Sequence, residues 1–366
     1  MLLEQIAAAF DRQDYRAAAK LLKEFLRESP QNVWGQFYKA RLYEVSGKRE
    51  FAGEIYRQLL RDAANPKLAT QARQGIERLD KIAQAEHRKV MAQATANPEN
   101  AAPGILVLES VPNESKPSAA QNLARIMKLD AYTARMQIPS RGWRLYRVGA
   151  IGALQHYGQQ LRSAKIPAFW TGLDALQKLP VFQVHYIQEY QPQAIVVCEN
   201  EQGQLGSLKF DWSEVCQRVE GLLPIFEQVV DTDLRKGTTE RQRKQTAQDY
   251  AHLCDLHLPK RRCILRLCDL NYQFHQGIAF SAPPKDSVAI DQATNRIHWN
   301  NLIAFLKYQL PQQPIWSEFQ TFGETAIDHA LLLKRLNSHV HLFGQDTSPW
   351  NPAFHLYSGL AFLRGS

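Results

Sequence analysis

The first 66 residues repeat themselves with a shift of 34. Laid over 35–66, residues 1–32 place Ala18 on Ala52, Leu22 on Tyr56, Phe25 on Leu59 and Leu26 on Leu60, with Gln13 falling on Gly47. Each unit reads as helix, short turn, helix. The turns are Arg12-Gln13-Asp14 and Ser46-Gly47-Lys48, and Pro30 and Pro66 stand where a helix must stop. A small residue at 18 and 52 lets the two helices of a unit approach, and larger residues four and seven positions on fill the groove between them. One such unit cannot bury its apolar face alone, so units must stack. That constrains the N-terminal quarter to an all-α array.

Residues 67–95 supply a third layer. Leu68, Ala72, Ile76, Leu79, Ala83 and Val90 form one narrow apolar stripe on an otherwise polar segment, which predicts a capping helix. The stretch ANPENAAPG (96–104) has no periodicity and is expected to be a linker. The spacing over 1–66 resembles the tetratricopeptide repeat family, although Ala9 stands where that family commonly has a Tyr. The resemblance implies that the first helices line a concave groove gripping a peptide or helix of another protein. The matching face carries Leu3, Ala7 and Phe10 in the first unit and Trp34, Phe37, Arg41 and Glu44 in the second. The same spacing equally suits packing of Trp34 and Phe37 against the first unit.

The remainder mixes strands and helices, so the chain is expected to be multidomain, an all-α repeat followed by mixed α/β (α+β) domains. In 105–180, ILVLES, WRLYRVG and PAFWTGL read as strands. Between them lie helices beginning after Ser118 and Asp130 and a third at 150–166. This β-α-β-α-β order suggests a ferredoxin-like domain. In 181–366 a strand at 181–190 precedes a hairpin over 194–210, and Asp211 with Glu214 forms a capping box. Helices are expected at 298–309, 325–337 and 355–363.

The net charge of +8 is uneven. Residues 1–95 carry 17 Lys and Arg against 12 Asp and Glu, 96–234 carry 12 against 14, and 235–366 carry 15 against 10. Within the last segment, 235–266 hold nine bases and three acids. The run RKGTTERQRKQTAQ (235–248), with no large apolar residue, predicts an exposed loop, and LPKRRCILRL adds bases at the start of a strand. Joined in space, Arg235, Lys236, Arg241, Arg243, Lys244, Lys260, Arg261 and Arg262 would form a patch for nucleic acid or an acidic protein. In SRGWRLYR (140–147), Arg141, Arg144 and Arg147 stand beside Trp143 and Tyr146, and alternation puts Arg144 with Tyr146 on one strand face. A solvated loop and a half-buried strand explain the same residues.

The five cysteines, with no signal-peptide pattern at the N-terminus, fit a reducing, cytoplasmic compartment. His252, Cys254, His257, Cys263 and Cys268 match no common zinc module, and odd spacing sends Cys263 and Cys268 to opposite strand faces, so no metal is expected. Gly149 and Gly152 follow a strand, which suits a tight turn better than a phosphate loop. No HExxH, GxSxG or Walker A pattern occurs, no cofactor is expected, and no apolar run is long enough to span a membrane. The phrases PSRGWRLYR, RVEGLLPIFEQVVD and HLPKRRCILRL give the whole chain a resemblance to cyanobacterial tetratricopeptide-repeat proteins, which implies no activity. The expected function is a non-enzymatic adaptor or scaffold, with nucleic-acid binding as the alternative.

Overall fold

Turn chemistry repeats as faithfully as the apolar residues do. In the computed structural model, Asp14 N–H donates to Ala9 O and, 34 residues on, Lys48 N–H donates to Tyr43 O, both at 2.9 Å. Gln13 and Gly47 both adopt left-handed backbone, φ 60° and 77°. These turns join α1 (Leu2–Asp11) to α2 (Tyr15–Glu28) and α3 (Val33–Val45) to α4 (Arg49–Asp62). Asp14 and Asn32 cap α2 and α3 by accepting from backbone N–H groups. Ala18 and Ala52 are wholly buried. α5 (Pro66–Ala94) closes the array. It approaches α4 at Gly75, where a Cβ would stand 2.6 Å from the Tyr56 ring. Past Leu79 it has no buried residue.

The structure describes residues 2–62, 65–232, 241–280, 294–337, 339 and 348–365, with backbone alone over 226–248. It divides into two compact units, Met1–Ala94 and Thr95–Ser366. The expected linker at 96–104 is partly ordered. Asn97 caps a single turn, α6 (Pro98–Ala101), and β1 begins at Pro103.

In the second unit, β1 (Pro103–Glu109), β2 (Trp143–Ala150) and β3 (Ala168–Gly172) form a small sheet of order β2-β1-β3, with β1 antiparallel to both neighbours. α7 (Lys116–Met127), α8 (Ala131–Gln137) and α9 (Ile151–Ser163) connect the strands. Ser118 lies inside α7 rather than capping it, because its hydroxyl turns back to Ser115 O. Asp130 caps α8 as expected.

After α10 (Leu173–Gln177) comes a seven-stranded mixed sheet of order β10-β7-β8-β9-β4-β5-β6. Its strands are β4 (Val181–Glu189), β5 (Ala194–Glu199), β6 (Leu205–Phe210), β7 (Gln217–Thr232), β8 (Arg241–Leu258), β9 (Cys263–Cys268) and β10 (Ile315–Trp316). α11 (Asn295–Gln309) covers one face. α12 (Phe319–Ala326) and α14 (Trp350–Gly365) cover the other, and α14 is buried from Trp350 to Phe362. The helix expected at 325–337 is broken into the end of α12, a 3-10 turn at Ile327–His329 and α13 (Ala330–Leu333).

Two further expectations change. Residues 241–248 are strand, not loop. They complete β8 by pairing with β7, Thr232 opposite Arg241 and Val229 opposite Lys244. Backbone pairing needs no apolar side chains, so composition hid this stretch. Nor do separate cores divide the unit at residue 180. Ile105, Val107, Trp143 and Leu145 of the small sheet share one cluster with Val219, Leu253 and Phe354. Alternation on β1 sends Ile105 and Val107 to that core, and Leu106 and Leu108 to a second one under α7 and α9. Among the described residues, no helix is long and apolar enough to cross a membrane.

Candidate functional site

The first-helix face of the array is partly core. Phe10 and Phe37 are only 4% exposed. Trp34 is half-buried, edge-on to Phe37 at 5.9 Å. The Arg41 guanidinium lies 5.0 Å over the Phe10 ring. Glu44 accepts from the Tyr56 hydroxyl at 2.8 Å and from two nitrogens of Arg78 at 2.8 and 3.0 Å. Burial alone would raise the Glu44 pKa, but these bonds outweigh it and hold the carboxyl below its usual range. Arg78 lies 34 residues after Glu44, so the ion pair ties equivalent positions of α3 and α5. Leu3, Trp34 and Arg41 keep partial exposure.

The expected basic patch comes apart. Arg235 and Lys236 lie outside the described residues. Arg241, Arg243 and Lys244 fall at the far end of β8, and Lys260, Arg261 and Arg262 follow its near end. At about 3.3 Å per residue, roughly 45 Å of strand separates Lys244 from Leu258. Arg261 makes two bonds to Glu214, at 2.7 and 2.8 Å. Those bonds, with one from the Asp211 N–H, hold the Glu214 carboxyl down to about 2. Arg266 is internal. Along β2, a bulge at Tyr146 breaks the alternation: Leu106 pairs with Arg147 but Val107 with Leu145. Arg147 therefore lies 4.9 Å over Tyr157 on the helix side, rather than on the Trp143 face. Arg141 faces Glu318 at 3.7 Å. Arg144 instead lines a cavity of about 330 Å³ with Lys116 and Arg135, which the sequence reading missed.

A second missed feature is a buried polar chain between the sheet and α14. Asp255 receives Arg266 at 2.9 and 2.7 Å and the Ser358 hydroxyl at 2.5 Å. His257 Nε2 lies 2.9 Å from Ser358 Oγ, and its Nδ1 lies 2.9 Å from Gln217 Nε2. Because the Ser358 proton goes to Asp255, His257 must donate through Nε2 and accept from Gln217. This order is Ser between His and Asp, so the imidazole does not activate the hydroxyl, and all three residues have no exposed surface. Burial, aided by Arg266, pushes the His257 pKa down to about 4, with Asp255 opposing. The available sequence signal was a charge within each of two apolar strands, CDLHL and CILRL.

Two further recesses carry polar groups. One, of about 470 Å³, is lined by Gln183, His185, Glu199, Glu201 and His339 among others. His185 sits 2.9 Å from Glu199 and 3.3 Å from Gln273, so both ring nitrogens are engaged in hydrogen bonds. The other, of about 590 Å³, lies between β7, β8 and α11 and is lined by Glu220, Tyr250, His252 and Trp299 among others. Glu220 Oε1 and His252 Nε2 are buried there without a hydrogen-bond partner among the described residues. Burial, with the charge of Arg296, lowers the His252 pKa to about 4.

Among the described residues no group of three or more His, Cys, Asp or Glu could hold a metal ion. Cys263 and Cys268 belong to different cores. All five cysteines are free, and burial pushes Cys198 and Cys263 up to about 11 and Cys268 to about 12. Burial thus disfavours the thiolate at these three positions. Gly149 is the penultimate residue of β2, and the first N–H of α9 is taken by Ala102 O at 2.9 Å, as a tight turn requires. No family model, curated protein or solved structure matches the chain.

Proposed function

We propose that the protein is a non-enzymatic cytoplasmic adaptor. Its tetratricopeptide-like array holds a peptide or helix of a partner protein, and the α/β unit binds a second component. Within that unit, Pro103–Gly172 is read as a ferredoxin-like fragment, β2-α9-β3 being a split crossover around β1. The observation that carries the reading is the face shared by α1, α3 and α5. Along it Leu3 and Trp34 keep partial exposure, Arg41 lies over the Phe10 ring and Glu44 pairs with Arg78. Partly exposed apolar residues and oriented charges on one face suit a short amphipathic segment with an acidic residue. Among the described residues, β8 separates Arg241, Arg243 and Lys244 from Lys260, Arg261 and Arg262, which weighs against the nucleic-acid alternative.

The test pairs partner identification with affinity measurement. Proteins recovered with the full chain are purified, and each is titrated against wild type and against Trp34→Ala/Arg41→Ala. Phe10 and Phe37 are left intact to preserve the core. Affinity for at least one partner is expected to fall roughly tenfold or more while circular dichroism shows the variant still folded. Unchanged affinity for every recovered partner overturns the groove.

A further inference from the structure

Three cations meet in one cavity of the second unit. Lys116 is the first residue of α7, Arg135 lies in the last turn of α8, and Arg144 projects from β2. Together they line about 330 Å³ with Ser140, Thr321 and Thr325. The remaining described lining, Met136, Ile138 and Pro139, is apolar, and no carboxylate contributes. Ile138 is buried in the core under α7 and α9, so this wall is fixed. The Lys116 ammonium is 2.6 Å from Ser140 Oγ, and Arg144 Nη1 is 3.5 Å from Met136 O. Neither contact supplies negative charge. Arg141, Arg261, Arg266 and Arg364 in the same unit each face a carboxylate. Lys116, Arg135 and Arg144 face none among the described residues.

Like charges gathered around a small volume repel, and an anion between them converts that repulsion into attraction. A guanidinium pair presents forked donors suited to tetrahedral oxyanions, and an ammonium and hydroxyls complete the shell. Lys116 also stands at the positive end of α7. The cavity is at the small end of ligand-site volumes, which favours a compact molecule over a polymer. Its apolar wall leaves room for a short carbon skeleton beside the anion.

We infer that Lys116, Arg135 and Arg144 bind the phosphoryl group of a small phosphomonoester. The site is independent of the repeat array and of the adaptor reading. It uses Arg144 but not Tyr146, Arg147 or the basic window.

Titration calorimetry on the full chain at roughly 50 mM salt is the test. Its probes are glycerol 3-phosphate, inorganic phosphate, acetate and a short single-stranded oligonucleotide. Saturable binding of glycerol 3-phosphate is expected, with inorganic phosphate weaker and acetate undetectable. Arg144→Gln and the exposed Arg135→Gln should each weaken the phosphomonoester about tenfold. Arg262→Gln, just before β9, should leave it unchanged. Arg135 supports no core, so its variant keeps the test valid if Arg144→Gln is unstable. The inference is overturned by no saturable phosphomonoester binding. Binding that ignores Arg135→Gln, or an oligonucleotide that binds far tighter with steep salt dependence, also overturns it.

Discussion

His257 shows how burial fixes the state of a single side chain. Both its ring nitrogens are used, one toward Ser358 and one from Gln217, and this pattern requires the neutral ring. Its folded pKa of about 4 lies below the ordinary 6.5, and burial depresses His355 in the same direction. An unfolded chain therefore takes up protons that the folded one refuses. The stability His257 contributes is complete above about pH 6.5 and is lost as the pH falls from there toward 4, and His355 acts in the same direction. Glu44 and Glu214, held low by their arginine partners, lose theirs only below the usual carboxylate range, so the two effects separate. The urea midpoint is expected to be lower near pH 5 than near pH 7.5. An equal or higher midpoint at the acidic value contradicts the assignment of a neutral, buried His257.

At the scale of elements, local periodicity carried most of the outline. The repeat register, the first three strands, the Asp130 cap and the Asp211–Glu214 capping box were legible because each depends on neighbours a few residues away. The extension of β8 was not legible, since its register is set by β7 across the hairpin. The bulge at Tyr146 was equally silent, and one extra residue was enough to move Arg147 to the other face. The same logic makes the repeated turns unequal. Gln13 holds a left-handed conformation that strains a residue with a Cβ, whereas Gly47 holds it freely and has open space around it. Gln13→Gly is expected to stabilise the array by about 0.5–1 kcal/mol, and Gly47→Ala to destabilise it by about 1 kcal/mol. Chemical denaturation followed by helical circular dichroism reads both, and changes of the same sign would refute the equivalence of the two turns.

Across the whole molecule, cores decide what is independent. The two clusters of the array contain only residues up to Leu79, and the clusters of the second unit only residues from Ile105 onward. Every partner of the Asp255–Arg266–Ser358–His257 chain also lies in the second unit, as do the three cations of the small cavity. That cavity was beyond sequence reasoning because Lys116, Arg135 and Arg144 come from three elements and share no motif. The net charge was readable as a total but not as a surface. Arg261 and Arg266 are neutralised in place, and β8 holds Arg241, Arg243 and Lys244 apart from Lys260 and Arg262. A fragment spanning 95–366 should therefore fold without the array. Expressed alone, it is expected to unfold cooperatively and to keep the acid sensitivity assigned to His257. The complementary 1–94 fragment should likewise remain helical, because its two clusters close within α1 to α5. A 95–366 fragment that binds hydrophobic dyes and lacks a cooperative transition would show that the array completes the second core, against the separation of the clusters.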